Sequence, residues 1–96
     1  MKVLTGASVI LQAAHYAPDG RLHGHTYEII AWWDDEPCAL DVQKRLSDWV
    51  SQFDHGILPT DMSRAEDIGR KCLIDLQCLS VDVNRPLERI FAKVIG

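Results

Sequence analysis

The sequence predicts an α+β domain of order β-β-α-α-β-β, an antiparallel sheet with two helices on one face. Three observations carry that reading. Apolar residues alternate along the first third and the tail, helical periodicity occupies the middle, and turn residues stand at each change of pattern.

Residues 3 to 15 are rich in β-branched and aliphatic types, and Val9, Leu11, Ala13 and His15 share one parity, which predicts a first strand with His15 on that face. Pro18-Asp19-Gly20 is a turn, proline presetting φ and glycine accepting positive φ. Leu22 to Trp33 extends again, with His23, His25, Tyr27 and Ile29 on one side. Antiparallel pairing of the two strands brings His15 beside His23-Gly24-His25, and Gly24 leaves the opposite face uncrowded.

Asp34-Asp35-Glu36-Pro37 ends the hairpin. Asp41 stands where an N-cap belongs, and Val42, Leu46, Trp49, Val50 and Phe53 recur at helical spacing, with the stop near Asp54-His55-Gly56 and the glycine as breaker. A loop from Ile57 to Met62 leads to Ser63-Arg64-Ala65-Glu66, a capping-box pattern that opens a second helix running to about Leu79. Its apolar face is Ala65, Ile68, Cys72, Leu73, Leu76 and Leu79. The tail reads as a hairpin, Leu79 to Asn84 and Glu88 to Ile95 around Arg85-Pro86-Leu87.

The chain is read as a single domain over residues 1–96. An apolar fraction of 47%, a charged fraction of 25% and a net charge of -4 are those of an ordinary globular protein, without a nucleic-acid stripe or a polybasic membrane patch. No stretch is long and apolar enough to span a membrane, and the opening run, broken by Thr5, Gly6, Ser8 and Gln12, reads as strand and not as a signal peptide. Cys38, Cys72 and Cys78 form no C-x-x-C pair, which suits a cytoplasmic protein. Trp32, Trp33 and Trp49 are expected in the core or at subunit contacts. Four strands leave two bare sheet edges, which predicts a homo-oligomer.

Three of the four histidines, His15, His23 and His25, fall on one face of one hairpin. Three neutral imidazoles with a fourth position for water or substrate make up a catalytic zinc site, which makes these residues candidate metal ligands. His55 follows Asp54, the arrangement of a working imidazole with a carboxylate partner, although a helix end also suits a histidine.

Ala13-Ala14-His15, Leu22-His23-Gly24-His25-Thr26-Tyr27, Ala39-Leu40-Asp41 and Phe53-Asp54-His55-Gly56-Ile57-Leu58 together resemble the successive motifs of the 6-pyruvoyltetrahydropterin synthase and 6-carboxytetrahydropterin synthase family. The likeness runs over nearly the whole chain. It implies a tunnelling fold whose subunits join their sheets into a barrel, as a trimer or two stacked trimers. It implies Zn2+ on His15, His23 and His25, gripping and polarising the side-chain oxygens of 7,8-dihydroneopterin triphosphate. It further implies proton relay by His55 with Asp54, and a lyase reaction that, in the queuosine-type branch, leaves a 6-carboxy group.

Two positions depart from the family. Asp19 stands where the family has its proton-abstracting cysteine, which leaves it two roles: a plain turn residue, or a carboxylate base as in the side-chain-cleaving branch that yields 6-hydroxymethyl-dihydropterin. Arg85 stands where the family has a glutamate that accepts the N–H donors of the pterin ring. Substrate binding then falls either to Glu88 through a shifted turn, or to Arg85 on a ring that presents a carboxylate or keto oxygen. A zinc-holding member of the fold without the synthase reaction is the alternative to a pterin-processing enzyme.

Overall fold

A computed structural model describes residues 1–96. Two long strands, β1 (Thr5–Tyr16) and β2 (Leu22–Trp33), form a hairpin. Helices α1 (Ala39–Ser51) and α2 (Ala65–Leu76) follow, with a short 3-10 turn at Thr60–Met62 between them, and a second hairpin of β3 (Ser80–Arg85) and β4 (Ile90–Ile95) closes the chain. The four strands lie in the order β1-β2-β3-β4 and every neighbouring pair is antiparallel. The predicted β-β-α-α-β-β order is the observed one.

Strand parity explains where the core sits. Leu11 and Ala13 of β1, Tyr27, Ile29 and Ala31 of β2, and Val81 and Val83 of β3 are buried on one face of the sheet. Val42, Leu46, Trp49 and Val50 of α1 and Ile68, Cys72 and Leu76 of α2 close over them. α1 packs on β1, and α2 on β3 and β4. The helices are tied to each other by polar contacts: Trp49 Nε1 donates to Asp75 Oδ2 at 2.8 Å, and Arg45 Nη2 donates to the Leu76 carbonyl at 2.9 Å, satisfying one of the free carbonyls at the end of α2. Trp33 and Trp49 are core residues, whereas Trp32 lies half-buried on the opposite face, against Gly6. No helix is long and apolar enough to cross a membrane, and all three cysteines are free.

Several element ends differ from the sequence-based expectation. Asp41 is not the cap of α1: Ala39 and Leu40, both good helix formers, are already helical, Cys38 is the cap, and Asp41 sits in the first turn, where its charge suits the dipole. The capping box at Ser63 and Glu66 does not form. Ser63 is held in helical geometry at the end of the 3-10 turn, so the extended cap position falls to Arg64, whose guanidinium donates twice to Asp67, at 3.0 and 3.2 Å. α2 ends at Leu76, with Gln77 left-handed at φ 53°, so Leu79 lies outside it. β4 starts at Ile90, because the turn after Arg85 extends through Arg89, which is also left-handed.

The break after α1 is made by His55, at φ 60°, and not by Gly56. What holds it there is β1. His55 N donates to the Gln12 carbonyl, Ala14 N to the Gly56 carbonyl, and Leu58 N to the Ala14 carbonyl. Residues 55–58 therefore cover the outer edge of β1 next to the histidine end of the sheet, and one of the two edges expected to be bare is bare only in its first half.

Gly69, buried in α2, marks the closest approach of helix to sheet: a Cβ there would lie 2.8 Å from Val94 Cγ2 and 3.4 Å from Val83 Cγ2. At an exposed helical site Gly→Ala gains about 1 kcal/mol, whereas overpacking against stiff valines costs about 1 to 3 kcal/mol. Gly69→Ala is expected to lower stability in urea unfolding by about 1 kcal/mol; a gain would show that the two layers are not in tight contact.

Candidate functional site

The register of the first hairpin assembles the histidines. His15 pairs directly with His23, and Ala13 with His25, so the three imidazoles stand on one face at one end of the sheet. The hairpin closes through the Pro18-Asp19-Gly20 turn, with Gly20 at φ 80° and Asp19 Oδ1 accepting the Arg21 amide at 2.9 Å. Ring centroids are separated by 5.0 Å (His15 and His25), 6.1 Å (His15 and His23) and 6.4 Å (His23 and His25). The Nε2 atoms of His15 and His25 meet at 3.0 Å. His15 Nδ1 is buried without a hydrogen-bond partner.

Burial, and then the positive charge of neighbouring groups including Arg85, holds both His15 and His25 below the ordinary histidine value. They are neutral imidazoles at neutral pH, the form that ligates metal. His23 is more exposed, and its Nε2 lies 3.7 Å from Asp19 Oδ1.

The second hairpin delivers Arg85 and Glu88. Asn84 pairs with Glu28, which carries Arg85 onto the core face beside Tyr27, whose ring meets His25 edge-on at 5.8 Å. Arg85 Nη2 lies 3.1 Å from Glu88 Oε1, its Nε is buried and unpartnered, and Glu88 Oε1 lies 3.7 Å from His25 Nδ1. The Arg85 guanidinium holds the Glu88 carboxyl below its usual range.

The edge segment delivers Asp54 and His55. Asp54 Oδ2 pairs with His55 Nδ1 at 2.8 Å, while Asp54 Oδ1 accepts the Gln12 amide at 2.8 Å. That amide hydrogen bond, with the help of His55, keeps Asp54 ionised to lower pH than a free aspartate. Gln12 thus braces the pair from both sides, a role with no signature in the sequence because it is played by main-chain atoms. An open groove of about 420 Å³ runs along this end of the sheet, lined by His25, His55 and Glu88 among others.

Of the predicted residues, the structure brings His25, His55 and Glu88 to one groove, with His15, Asp54 and Arg85 directly behind them. Asp19 is exposed and engaged by its own turn. No cysteine lines the groove: Cys72 and Cys78 are buried in the core, and burial pushes the Cys72 thiol up to about 12.

As placed, no three side chains form a ready metal-holding group. The donor set nevertheless suits zinc. Two nitrogens bound to one tetrahedral zinc at 2.0–2.1 Å are separated by about 3.3 Å, close to the 3.0 Å between His15 and His25 Nε2. The third ring, His23, turns toward Asp19 instead. Three imidazoles in one cluster, two of them neutral by burial, are ligands of the right number and kind.

No protein-family model matches the chain, and no curated protein matches it significantly in sequence. Among solved structures it is similar to the 6-pyruvoyl tetrahydropterin synthase of Caenorhabditis elegans, with a TM-score of 0.84 over 100% of this chain and 96% of that one, at 15% sequence identity. The chain has the tunnelling fold. Identity this low speaks for the fold alone, and within the tunnelling fold the groove lies where the first hairpin, the α1 exit and the β3–β4 turn converge.

Because His15 and His25 titrate below the ordinary value of 6.5, the unfolded chain takes up protons before the native state does as pH falls. Their contribution is neutral well above that value and turns increasingly destabilising below it, until the lowered native values are passed. In chelator-treated protein the urea midpoint is expected to drop between about pH 7.5 and about pH 5.5. The drop should be smaller in a His15→Gln/His25→Gln variant, and an equal drop would disprove the linkage.

Proposed function

We propose that this chain is a zinc-dependent, pterin-processing lyase resembling 6-carboxytetrahydropterin synthase, acting on 7,8-dihydroneopterin triphosphate or a related pterin- or purine-derived compound. The observation that carries the reading is that one groove is lined by His25, a member of the three-histidine cluster, and by His55 of the braced Asp54–His55 pair. The solved tunnelling-fold structure described as a 6-pyruvoyl tetrahydropterin synthase supports it from the side of the fold.

In this reading His15, His23 and His25 hold Zn2+, which when bound supplies a Lewis acid that polarises substrate oxygens. Asp54 fixes the His55 tautomer through Nδ1, which leaves His55 Nε2 to take and return a proton. Glu88, an acceptor at the groove wall, and Arg85, paired with it from behind, orient the polar edge of the substrate. Asp19 stands in the place of the family's thiol.

One observation favours a second reading, a zinc-holding member of the fold without the synthase reaction: the groove has no thiol, and Asp19 is occupied in its turn. Incubation of zinc-loaded protein with dihydroneopterin triphosphate, followed by mass identification of products, separates the readings. Release of triphosphate with a 6-carboxy or 6-pyruvoyl product is expected. A 6-hydroxymethyl product that disappears in Asp19→Ala assigns Asp19 as base, and absence of turnover supports the second reading.

We further propose that the chain works as a homo-oligomer, a trimer or hexamer. The first half of β1 and the whole outer edge of β4 have no strand beside them, and Phe91 and Ile95 on β4 are 71% and 70% exposed. Size-exclusion chromatography with light scattering at micromolar concentration should give a multiple of three chain masses, and elution at monomer mass would exclude it.

A further inference from the structure

Glu88 lies at the groove wall, but its best-defined contacts point backward, to Arg85 and to His25. The two nitrogens of His25 face different surroundings. Nε2 faces His15 Nε2 at 3.0 Å, inside the cluster, whereas Nδ1 faces Glu88 Oε1 at 3.7 Å, outside it.

Proton placement follows from these neighbours. Between two neutral imidazoles whose Nε2 atoms are in contact, one must donate and the other accept. His15 Nδ1 is buried with no partner, and a buried N–H without an acceptor is costlier than a bare lone pair. In the metal-free protein His15 therefore carries its proton on Nε2 and donates it to His25 Nε2; to ligate through Nε2, His15 would move that proton to Nδ1. His25 in turn carries its own proton on Nδ1, pointed at Glu88. At 3.7 Å the contact with Glu88 is electrostatic, longer than a hydrogen bond. Even so, a carboxylate beside Nδ1 favours an N–H there and disfavours a lone pair. Glu88 is itself held in place by the Arg85 guanidinium and by the closed turn in which Glu88 N donates to the Arg85 carbonyl.

We propose that Glu88 is a positioning residue for His25: its carboxylate, held by Arg85, keeps the His25 proton on Nδ1 and so presents the Nε2 lone pair to the cluster for a metal ion. The inference rests on the zinc reading of His15, His23 and His25 and adds to it a carboxylate–histidine pair recruited from the β3–β4 turn. A partner of this kind orients a ligating imidazole and raises its basicity.

Two measurements test it on the full chain. Long-range proton–nitrogen correlation spectra of metal-free protein at about pH 8, above the histidine range, read the His25 tautomer directly. The wild type is expected to show Nδ1–H, and Glu88→Ala to shift His25 toward Nε2–H. Competition for Zn2+ against a chromophoric chelator should then show Glu88→Ala weakened by about 10- to 100-fold. Glu88→Gln, which keeps an acceptor oxygen, should recover most of the loss. Circular dichroism and the thermal midpoint should be unchanged in both variants, since Glu88 is exposed on a turn. An unchanged tautomer and unchanged zinc affinity in Glu88→Ala would overturn the proposal. Failure of the wild type to take up zinc, with the tautomer still moved by Glu88→Ala, would overturn the zinc reading and leave the pairing standing.

Discussion

The antiparallel register of the first hairpin is the constraint on which the rest depends. Each strand has side chains alternating across the sheet, so pairing His15 with His23 puts those two and His25 on the same face as Leu11, Tyr27 and Ile29. A slip of one residue between the two strands would leave His15 on the face opposite His23 and His25, and would turn one strand's share of the core outward. The hydrophobic burial that specifies the register thus also specifies the histidine cluster, which extends the core face past the point where the helices stop covering it.

The other functional groups reach that end of the sheet by separate routes. Asp54 and His55 arrive because the chain leaving α1 adds itself to the edge of β1, and the left-handed His55 is tolerated because three main-chain hydrogen bonds between residues 55–58 and β1 secure the crossing. Arg85 and Glu88 arrive because β3 pairs with β2 and then turns back at the level of Tyr27. Charge then differentiates the groups. Arg85 helps keep His15 and His25 neutral and keeps Glu88 ionised, so one guanidinium sets up both neutral donors and a charged acceptor beside one of them.

The parts legible in the sequence were those governed by local periodicity. Strand parity identified the face bearing His15, His23 and His25, helical spacing identified the buried faces of both helices, and Pro18-Asp19-Gly20 marked the hairpin turn. The parts not legible depend on contacts between distant segments or on the preceding turn. Ser63 reads as a cap from its own neighbourhood but is claimed by the 3-10 turn before it. Gly56 reads as the helix breaker, yet the hydrogen bonds to Gln12 and Ala14 place the left-handed residue one position earlier. The approach of Glu88 to His25 depends on three strands in register and on a turn through Arg89, so nothing near Glu88 announces it. Resemblance of motifs anticipated the tunnelling fold, and at Asp19 and Arg85 the chain keeps its own residues.

The central claim is that His15, His23 and His25 form one metal site. Its most direct test is X-ray absorption at the zinc edge on protein loaded with a single equivalent of Zn2+. The account predicts a first shell of nitrogen and oxygen at about 2.0–2.1 Å, with the outer-shell scattering of three imidazoles and no sulfur at about 2.3 Å. A sulfur shell, or outer-shell scattering from fewer than two imidazoles, would contradict it.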